Sequence, residues 1–308
     1  MSRILPLLQE LRAPFFTASI IPILLGTAVA WSESGQFSTS LFLLTLVAGV
    51  CVHAGTNIAN DYFDHKSRND EINVEYVRPF SGGSRLIQKG LLSPRTVLIE
   101  SLVLFAIGGA MGVYLTVKVG PAILVLGVIG AFCGFFYTAP PVNIAARGIG
   151  ELTVGVNFGI LMTLGSYYVQ TGRFSVGAFL ASLPVAILIA DVLYINEFPD
   201  FTADKAVGKN HLVVRLGKER AVWGYLAITF SAYLAILIPV VTRAIPPYCL
   251  LALITLPMAM KAVNVAILNY ADSKKLAPAN AATIMLHMFI GILVAGGFVL
   301  DRVFSLMR

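Results

Sequence analysis

Long apolar segments alternate with short polar ones along the whole chain of 308 residues. A helix needs about 20 apolar residues to cross roughly 30 Å of hydrocarbon, because each residue advances it by about 1.5 Å. Nine segments approach or exceed that length, and they lie at 14–32, 39–60, 95–117, 120–137, 149–171, 175–196, 220–241, 246–268 and 279–301. The pattern therefore predicts an all-α, polytopic membrane protein with nine transmembrane helices.

The composition supports a single membrane domain over residues 1–308. Hydrophobic residues make up 57% of the chain and charged residues 12%, and the mean hydropathy is +0.82. Soluble domains carry about 25% charged residues. The net charge of +6 needs no nucleic-acid partner, because basic residues at one membrane face and anionic lipid headgroups account for it. We expect the lipid bilayer to be the surrounding partner, and no nucleic acid.

The basic residues are spread unevenly over the two predicted membrane faces. With the N-terminus inside, 16 of the 22 lysines and arginines fall on the inner side, and they include Arg3, while Arg308 falls on the outer side. Lysine and arginine accumulate on the cytoplasmic side of membrane proteins. We therefore expect a multi-pass protein of the cell (inner) membrane, with a cytoplasmic N-terminus. Two long loops, 61–94 and 197–219, are then also cytoplasmic.

Each long loop begins with amide and acidic side chains. The first cluster contains Asn57, Asn60, Asp61 and Asp64, and the second contains Asn196, Asp200 and Asp204. If the helices continue through these clusters, spacings of three and four residues place the side chains on one face. Carboxylates stacked in this way repel one another unless a cation lies between them, and oxygen ligands favour Mg²⁺. We expect the four aspartates to bind Mg²⁺ and the three asparagines to support them or bind through their carbonyls.

Basic residues follow each acidic cluster at short range. We expect Lys66, Arg78, Lys209 and Arg215 to bind a diphosphate, since Mg²⁺ together with lysine or arginine commonly holds phosphate groups. The alternative for each of these residues is that it only helps to set the orientation of the chain in the membrane. Arg12, at the start of the first span, either reaches the same site or an acceptor carboxylate, or anchors the chain at the interface.

The two acidic motifs resemble those of the UbiA-type membrane prenyltransferases. They read Asn-x-x-x-Asp-x-x-Asp from Asn57 to Asp64 and Asp-x-x-x-Asp from Asp200 to Asp204, and the nine-span count and the Tyr-Thr-Ala-Pro-Pro sequence from Tyr137 also match. The resemblance implies helices bundled around a central cavity in which both motifs bind Mg²⁺ and the diphosphate of a polyprenyl diphosphate donor. It also implies transfer of the prenyl group to an acceptor, commonly an aromatic ring.

The first motif departs from the family pattern at one position. The pattern expects a third acid four residues beyond Asp64, where this chain has Arg68. Asp70 and Glu71 are the nearest substitutes. The number of metal ions and the third ligand at this end of the site are therefore open.

The sequence after the second motif bears on the acceptor. The stretch from Asp204 to Gly217, which contains Gly-Lys and Leu-Val-Val-Arg-Leu-Gly, is similar to the dihydroxynaphthoate prenyltransferases of menaquinone synthesis. Asp191-Val-Leu-Tyr194 instead resembles the 4-hydroxybenzoate enzymes. We expect 1,4-dihydroxy-2-naphthoate as the acceptor, with 4-hydroxybenzoate and tocopherol-type or ether-lipid acceptors as alternatives.

Two further polar residues need separate interpretation. Asp191 lies inside a predicted span, and because intramembrane acids are usually functional, we expect it to face the cavity as an acid or orienting group. Tyr137 either faces the diphosphate or the allylic cation, or is an interfacial aromatic residue. A membrane cation transporter is the alternative class, although its acids are expected nearer the bilayer midplane.

Overall fold

The computed structural model describes residues 4–307, which are helical with connecting turns and contain no strand. Arg3 and Arg308, which entered the prediction of orientation, lie outside the described residues. In chain order the apolar helices are α1 (Ala13–Ser34), α2 (Thr39–Lys66), α3 (Pro94–Val119), α4 (Ala122–Phe135), α5 (Gly150–Thr171), α6 (Val176–Ala206), α7 (Lys218–Val241), α8 (Pro247–Asn269) and α9 (Ser273–Leu306). The predicted all-α membrane fold is confirmed.

The predicted count of nine spans is approximate. Within residues 4–307, eight helices are long and apolar enough to cross a membrane, whereas α4 has only 14 residues. Its helix ends at Phe135, and Pro140 and Pro141 follow soon after. Proline has no backbone N–H group and disfavours helical geometry in the preceding residue, so the fourth span is shorter than its apolar composition indicates.

The helices α2 and α6 are longer than predicted, and their extra turns carry the acidic motifs. Each is preceded by a capping serine whose hydroxyl accepts a backbone N–H group: Ser38 from Leu41 at 3.4 Å, and Ser175 from Ala178 at 3.2 Å. The predicted ends at 60 and 196 were too early, because hydropathy falls there while helical hydrogen bonding continues. The first residues of the segments 61–94 and 197–219 are therefore helical.

The helices differ in how much of their surface faces the protein interior. In the most apolar 18-residue segments of α1 and α6, 56% of the residues are buried, whereas in that of α3 the share is 17%. Leu25, Val185, Leu188 and Ile290 belong to the core cluster that joins α1, α6 and α9. α6 is therefore a central helix of the bundle, and the motif at its end is held by a well-packed element.

A wide turn interrupts α5 where it crosses α6. Residues Gly155–Leu161 form a π-helix, a geometry often found at functional sites. A Cβ atom on Gly159 would lie 2.2 Å from the Cα of Ala186, so only glycine allows this approach. The same turn includes Asn157 and Phe158, which line the cavity described next.

Candidate active site

A cavity of about 390 Å³ lies among α1–α6. Its lining is polar near the motif-bearing ends of α2 and α6, which we call the motif end of the bundle, and becomes apolar farther in. Among the described residues, those that line it come from α1–α6 and the connections at the motif end, and none comes from α7–α9. The cavity thus joins a small polar chamber to an apolar channel.

The motif aspartates converge on a single buried lysine. Lys209 Nζ lies 2.6 Å from Asp64 Oδ1 on α2 and 3.6 Å from Asp204 Oδ1 on α6. Burial by itself would lower the pKa of Lys209, but the charges of Asp64 and Asp204 outweigh it and raise that pKa above its ordinary value. The ammonium group is therefore a permanent positive charge between the two motifs.

The short helix Asn69–Ile72 joins the two motifs from the side. Asn69 Nδ2 donates to Asp204 Oδ1 at 2.7 Å, and Asn73 Nδ2 donates to Asp200 Oδ1 at 2.6 Å. Both asparagines line the cavity, as does Asp200. Neither residue could be selected from the sequence, because their contacts bridge 135 and 127 positions of the chain.

Asp70 stands where the first motif lacked its third acid. Its side chain lines the cavity and is 3% exposed, whereas Glu71 is exposed to solvent. Burial, with repulsion from Asp64 and Asp61, raises the pKa of Asp70 to about 8. Of the two substitutes considered from the sequence, the structure brings Asp70 to the site and leaves Glu71 outside it.

A glycine-rich turn closes over Asp61. Asp61 Oδ2 accepts the backbone N–H of Ser84 at 2.9 Å, and Arg12 reaches Asp61 Oδ1 at 3.7 Å. Gly83 has φ +65°, and a Cβ there would lie 2.7 Å from Asp61 Oδ1, so a larger residue would push the turn off the carboxylate. Arg78 donates to the carbonyl oxygens of Gly83 and Ser84, and so supports this turn.

The remaining predicted residues divide between those inside and those outside the cavity. Arg12, Asn57, Asn60, Tyr137 and Asn196 line it.

Lys66 and Arg215 are both exposed and lie outside the cavity lining. The ammonium group of Lys66 lies 5.6 Å from the ring centroid of Tyr62, on the surface of α2. Arg215 donates to the carbonyl oxygens of Asn210 and Arg147, each at 2.7 Å. Lys66 is therefore a surface residue, and Arg215 joins two loops. Neither side chain contacts the motif aspartates.

Asp191 also lies off the cavity lining. It is fully buried, and its Oδ2 accepts a hydrogen bond from Thr229 of α7 at 2.6 Å. The cavity-lining stripe on α6 includes Ile189, Val192 and Asn196, which point to a different side of the helix. The structure therefore places Asp191 between helices, where polar side chains commonly hydrogen-bond across the interface.

Three residues that the sequence did not select form a second polar group beside the motifs. His211 Nδ1 lies 3.1 Å from Glu197 Oε2, and His211 Nε2 lies 3.1 Å from Asp204 Oδ2. Glu151 Oε1 accepts the backbone N–H of Leu212 at 2.8 Å, and ligand atoms of Glu151, Glu197 and His211 lie within 4.8 Å of one another. Burial tends to lower the pKa of His211, but its bonds to Asp204 and Glu197 raise it to about 10.

The composition of the chamber fits a hard divalent cation. Five carboxylates line it, from Asp64, Asp70, Glu197, Asp200 and Asp204, and that of Asp61 lies just behind the lining residue Gly83; three cationic side chains, Arg12, Lys209 and His211, accompany them. Asp61 Oδ1 is buried and accepts no hydrogen bond within the described residues. Buried carboxylates in excess of cations are costly, and oxygen donors of this kind suit Mg²⁺.

Comparison with known proteins identifies the family. The chain is 28% identical over 294 residues to the 1,4-dihydroxy-2-naphthoate octaprenyltransferase of Bacillus subtilis (strain 168), which covers 95% of this chain and 92% of that protein. It is 28% identical over 293 residues to the 2-carboxy-1,4-naphthoquinone phytyltransferase of Synechocystis sp. (strain ATCC 27184 / PCC 6803 / Kazusa), covering 94% of this chain and 92% of that protein.

Solved structures share the fold. A UbiA homolog from Aeropyrum pernix K1 has a TM-score of 0.68 at 17% identity, covering 92% of this chain and 97% of that chain. A UbiA homolog from Archaeoglobus fulgidus bound to DMAPP and Mg²⁺ has a TM-score of 0.61 at 18% identity, covering 94% and 98%. Residues 19–294 match the UbiA prenyltransferase family, and the chain belongs to that family.

Proposed function

We propose that this prenyltransferase moves a polyprenyl group from a polyprenyl diphosphate to 1,4-dihydroxy-2-naphthoate and releases diphosphate, as a step of menaquinone biosynthesis. The observation that carries the proposal is the convergence of both acidic motifs and Lys209 at the mouth of an apolar cavity. The relatives named for naphthoate and naphthoquinone substrates support the choice of acceptor. Because the chain belongs to the UbiA prenyltransferase family, we no longer consider it a membrane cation transporter.

In this proposal Asp61, Asp64, Asp200 and Asp204 hold Mg²⁺, with Asp70 as a further candidate ligand. When bound, Mg²⁺ supplies positive charge that stabilises the diphosphate oxygens as the leaving group departs. The Archaeoglobus fulgidus homolog was solved with both Mg²⁺ and a prenyl diphosphate, which supports the assignment. The asparagines Asn69 and Asn73 orient the carboxylates of the second motif by donating to them.

The chain's own cationic groups then assist ionisation of the donor. The bond between the allylic carbon and the diphosphate oxygen breaks, and its electron pair leaves with the diphosphate. Lys209 and Arg12 line the cavity and provide N–H donors for that developing charge. Donors fixed in a low-dielectric chamber stabilise it without having to reorganise during the reaction.

The apolar channel protects the allylic cation that remains. Its lining excludes water, which would otherwise capture the cation as an alcohol. Tyr137 lines the cavity, and the π face of its ring would favour a nearby cation. The acceptor ring then forms the new carbon–carbon bond with the cation, and the attacked ring carbon releases the group it carried, CO2 from the carboxylate-bearing carbon or a proton from a C–H carbon, so that the ring regains aromaticity. Glu197 and His211 supply polar atoms for its hydroxyl groups.

We place the motif end at the cytoplasmic face of the cell membrane. The lysines and arginines of the described residues concentrate in the connections at this end, as the positive-inside rule requires. A cysteine introduced by Glu71→Cys should then resist impermeant thiol reagents in intact cells and react in permeabilised ones. Rapid labelling in intact cells would contradict this orientation and place the motif end outside.

Acceptor competition tests the proposed function. The purified protein is given one prenyl diphosphate, Mg²⁺, and equal amounts of 1,4-dihydroxy-2-naphthoate, 4-hydroxybenzoate and a glycerol-ether precursor. We expect prenylated naphthoate to be the main product, because the stretch after Asp204 follows the naphthoate-type pattern. Preference for another acceptor would refute the naphthoate assignment while leaving prenyl transfer in place.

A further inference from the structure

A histidine of α2 faces the cavity one helical turn away from the first acidic motif. His53 lies four residues before Asn57 and eight before Asp61 on one continuous helix, so it shares their face and is about 6 Å from Asn57 along the axis. Its side chain is 4% exposed and belongs to the cavity lining. The imidazole therefore lies just inside the chamber that we assign to the diphosphate.

Neighbouring helices hold the imidazole ring in one orientation. Ser19 Oγ of α1 lies 2.7 Å from His53 Nδ1, and both groups are buried. The rings of Phe16 and Phe158 meet the imidazole in T-shaped contacts, with centroids 5.6 and 4.6 Å away. Phe158 belongs to the π-helical turn of α5 and also lines the cavity.

The other nitrogen of the ring is left for a ligand. Within the described residues, Nδ1 of His53 contacts Ser19 and no hydrogen bond involves Nε2. The Ser19 hydroxyl has no other acceptor in that part of the chain, so it donates to Nδ1, and the proton of the neutral imidazole lies on Nε2. Buried polar groups are nearly always hydrogen-bonded. A molecule in the cavity therefore has to supply the acceptor for this N–H group.

A second polar atom without a partner lies next to Phe158. Asn157 Nδ2 donates to the Thr153 carbonyl at 2.8 Å, whereas Asn157 Oδ1 is buried and accepts no hydrogen bond from residues 4–307. Asn157 lines the cavity as well. A hydroxyl group can accept from the imidazole N–H and donate to an amide oxygen, whereas a hydrocarbon prenyl chain can do neither.

We propose that His53 Nε2 donates a hydrogen bond to a ring hydroxyl of the aromatic acceptor and so helps to determine acceptor specificity. The inference rests on the proposed function and names a contact that orients its acceptor. A site that hydrogen-bonds a hydroxyl group discriminates against analogues that lack it, because its own polar group is then left unpaired. A histidine that only joined α1 to α2 would need no atom beyond Nδ1.

Asparagine and glutamine separate the roles of the two ring nitrogens. The amide of His53→Asn can take the position of Nδ1 and keep the contact with Ser19, but it leaves nothing at the position of Nε2. His53→Gln places its amide near Nε2 and gives up the contact with Ser19. His287 of α9 provides the matched control, because it is 1% exposed and lies outside the cavity lining.

The experiment measures kcat and KM for 1,4-dihydroxy-2-naphthoate at saturating donor and Mg²⁺. We expect His53→Asn to lower kcat/KM for the acceptor by about tenfold, the effect of one lost hydrogen bond, and to leave KM for the donor unchanged. His53→Gln should retain most of the kcat/KM of the unmodified protein. His287→Asn should leave the KM of both substrates unchanged.

Two competitive inhibitors locate the contact on the acceptor. The compounds 1-hydroxy-2-naphthoate and 4-hydroxy-2-naphthoate each lack one of the two hydroxyl groups. For the unmodified protein and for His287→Asn, we expect the inhibitor without the contacted hydroxyl to bind about tenfold more weakly than the other. In His53→Asn the two should bind alike, because a contact that is already lost cannot be lost again.

The outcomes separate this inference from the proposed function. A large loss in His53→Gln with none in His53→Asn would show that the histidine acts only through Ser19, and would overturn the inference. Equal binding of the two inhibitors to the unmodified protein would also overturn it, and that measurement does not depend on the folding of a variant. Failure of the unmodified protein to prenylate the naphthoate would instead refute the proposed function.

Discussion

Replacing Asp200 with asparagine is expected to lower kcat for prenyl transfer by a factor on the order of 10³, the upper end of the loss seen when one preorganised electrostatic contact is removed. The change keeps the shape of the side chain, and the new amide oxygen can still accept the hydrogen bond that Asn73 donates at 2.6 Å. What is lost is one negative charge among the proposed Mg²⁺ ligands. Steady-state kinetics over a range of Mg²⁺ concentrations measure the effect.

An exposed acid from the same region serves as the control. Glu71 belongs to the short helix that borders the site, but its side chain is exposed and lies outside the cavity. Glu71→Gln removes the same charge and should leave both kcat and the Mg²⁺ dependence unchanged. If Asp200→Asn retains full activity at limiting Mg²⁺, Asp200 is not a ligand and the proposed site is incorrect.

The second large effect is expected at Lys209. Lys209→Met keeps the length of the side chain and removes the charge that lies 2.6 Å from Asp64 and 3.6 Å from Asp204. A hydrogen bond to a charged group is worth about 1.5–3 kcal/mol, so we expect kcat/KM for the donor to fall by about a hundredfold. Because Lys209 repels a metal ion, the apparent affinity for Mg²⁺ should not weaken.

Lys205 offers a matched control for this variant. It lies four positions earlier, is exposed, and places its ammonium group 5.8 Å from the ring centroid of Phe201. Lys205→Met should leave the kinetics of both substrates unchanged. Equal losses in the two variants would indicate a general effect of positive charge at the membrane surface. They would argue against a diphosphate contact at Lys209.

Some of the site was predictable because it is encoded by helical spacing. Asp61 and Asp64, and likewise Asp200 and Asp204, are three or four residues apart on continuous helices, so their shared face follows from local geometry. Lys209 was also selected from the sequence, and the structure brings it between the motifs. Because the long apolar helices follow one another in a fixed order along the chain, few packing arrangements are open to the two motif-bearing ends.

The basic residues show where proximity in sequence was insufficient. Lys66, Arg78, Lys209 and Arg215 all follow an acidic motif closely, yet only Lys209 lines the cavity. Arg78 and Arg215 instead donate to backbone carbonyls that become available only when their loops fold. The path of a loop depends on such long-range partners, which a motif and a charge count do not specify.

The group formed by Glu151, Glu197 and His211 lies beside the motifs, although none of the three was selected from the sequence. Glu151 comes from the start of α5, and its contact with Leu212 spans 61 positions. His211 lies seven residues after Asp204, in a stretch whose resemblance drew attention to its glycine, lysine and arginine rather than to its histidine. Their convergence depends on how α5 packs against α6, which hydrophobic patterning does not determine.

We propose that this chain catalyses Mg²⁺-dependent prenyl transfer to a naphthoate acceptor. The most direct measurement is mass-spectrometric detection of product from purified protein, 20-carbon prenyl diphosphate and 1,4-dihydroxy-2-naphthoate, with Mg²⁺ or with excess chelator. We expect prenylated product and stoichiometric diphosphate with Mg²⁺, loss of both in chelator, and recovery when Mg²⁺ is restored. Absence of product with Mg²⁺, or undiminished product in chelator, would contradict it.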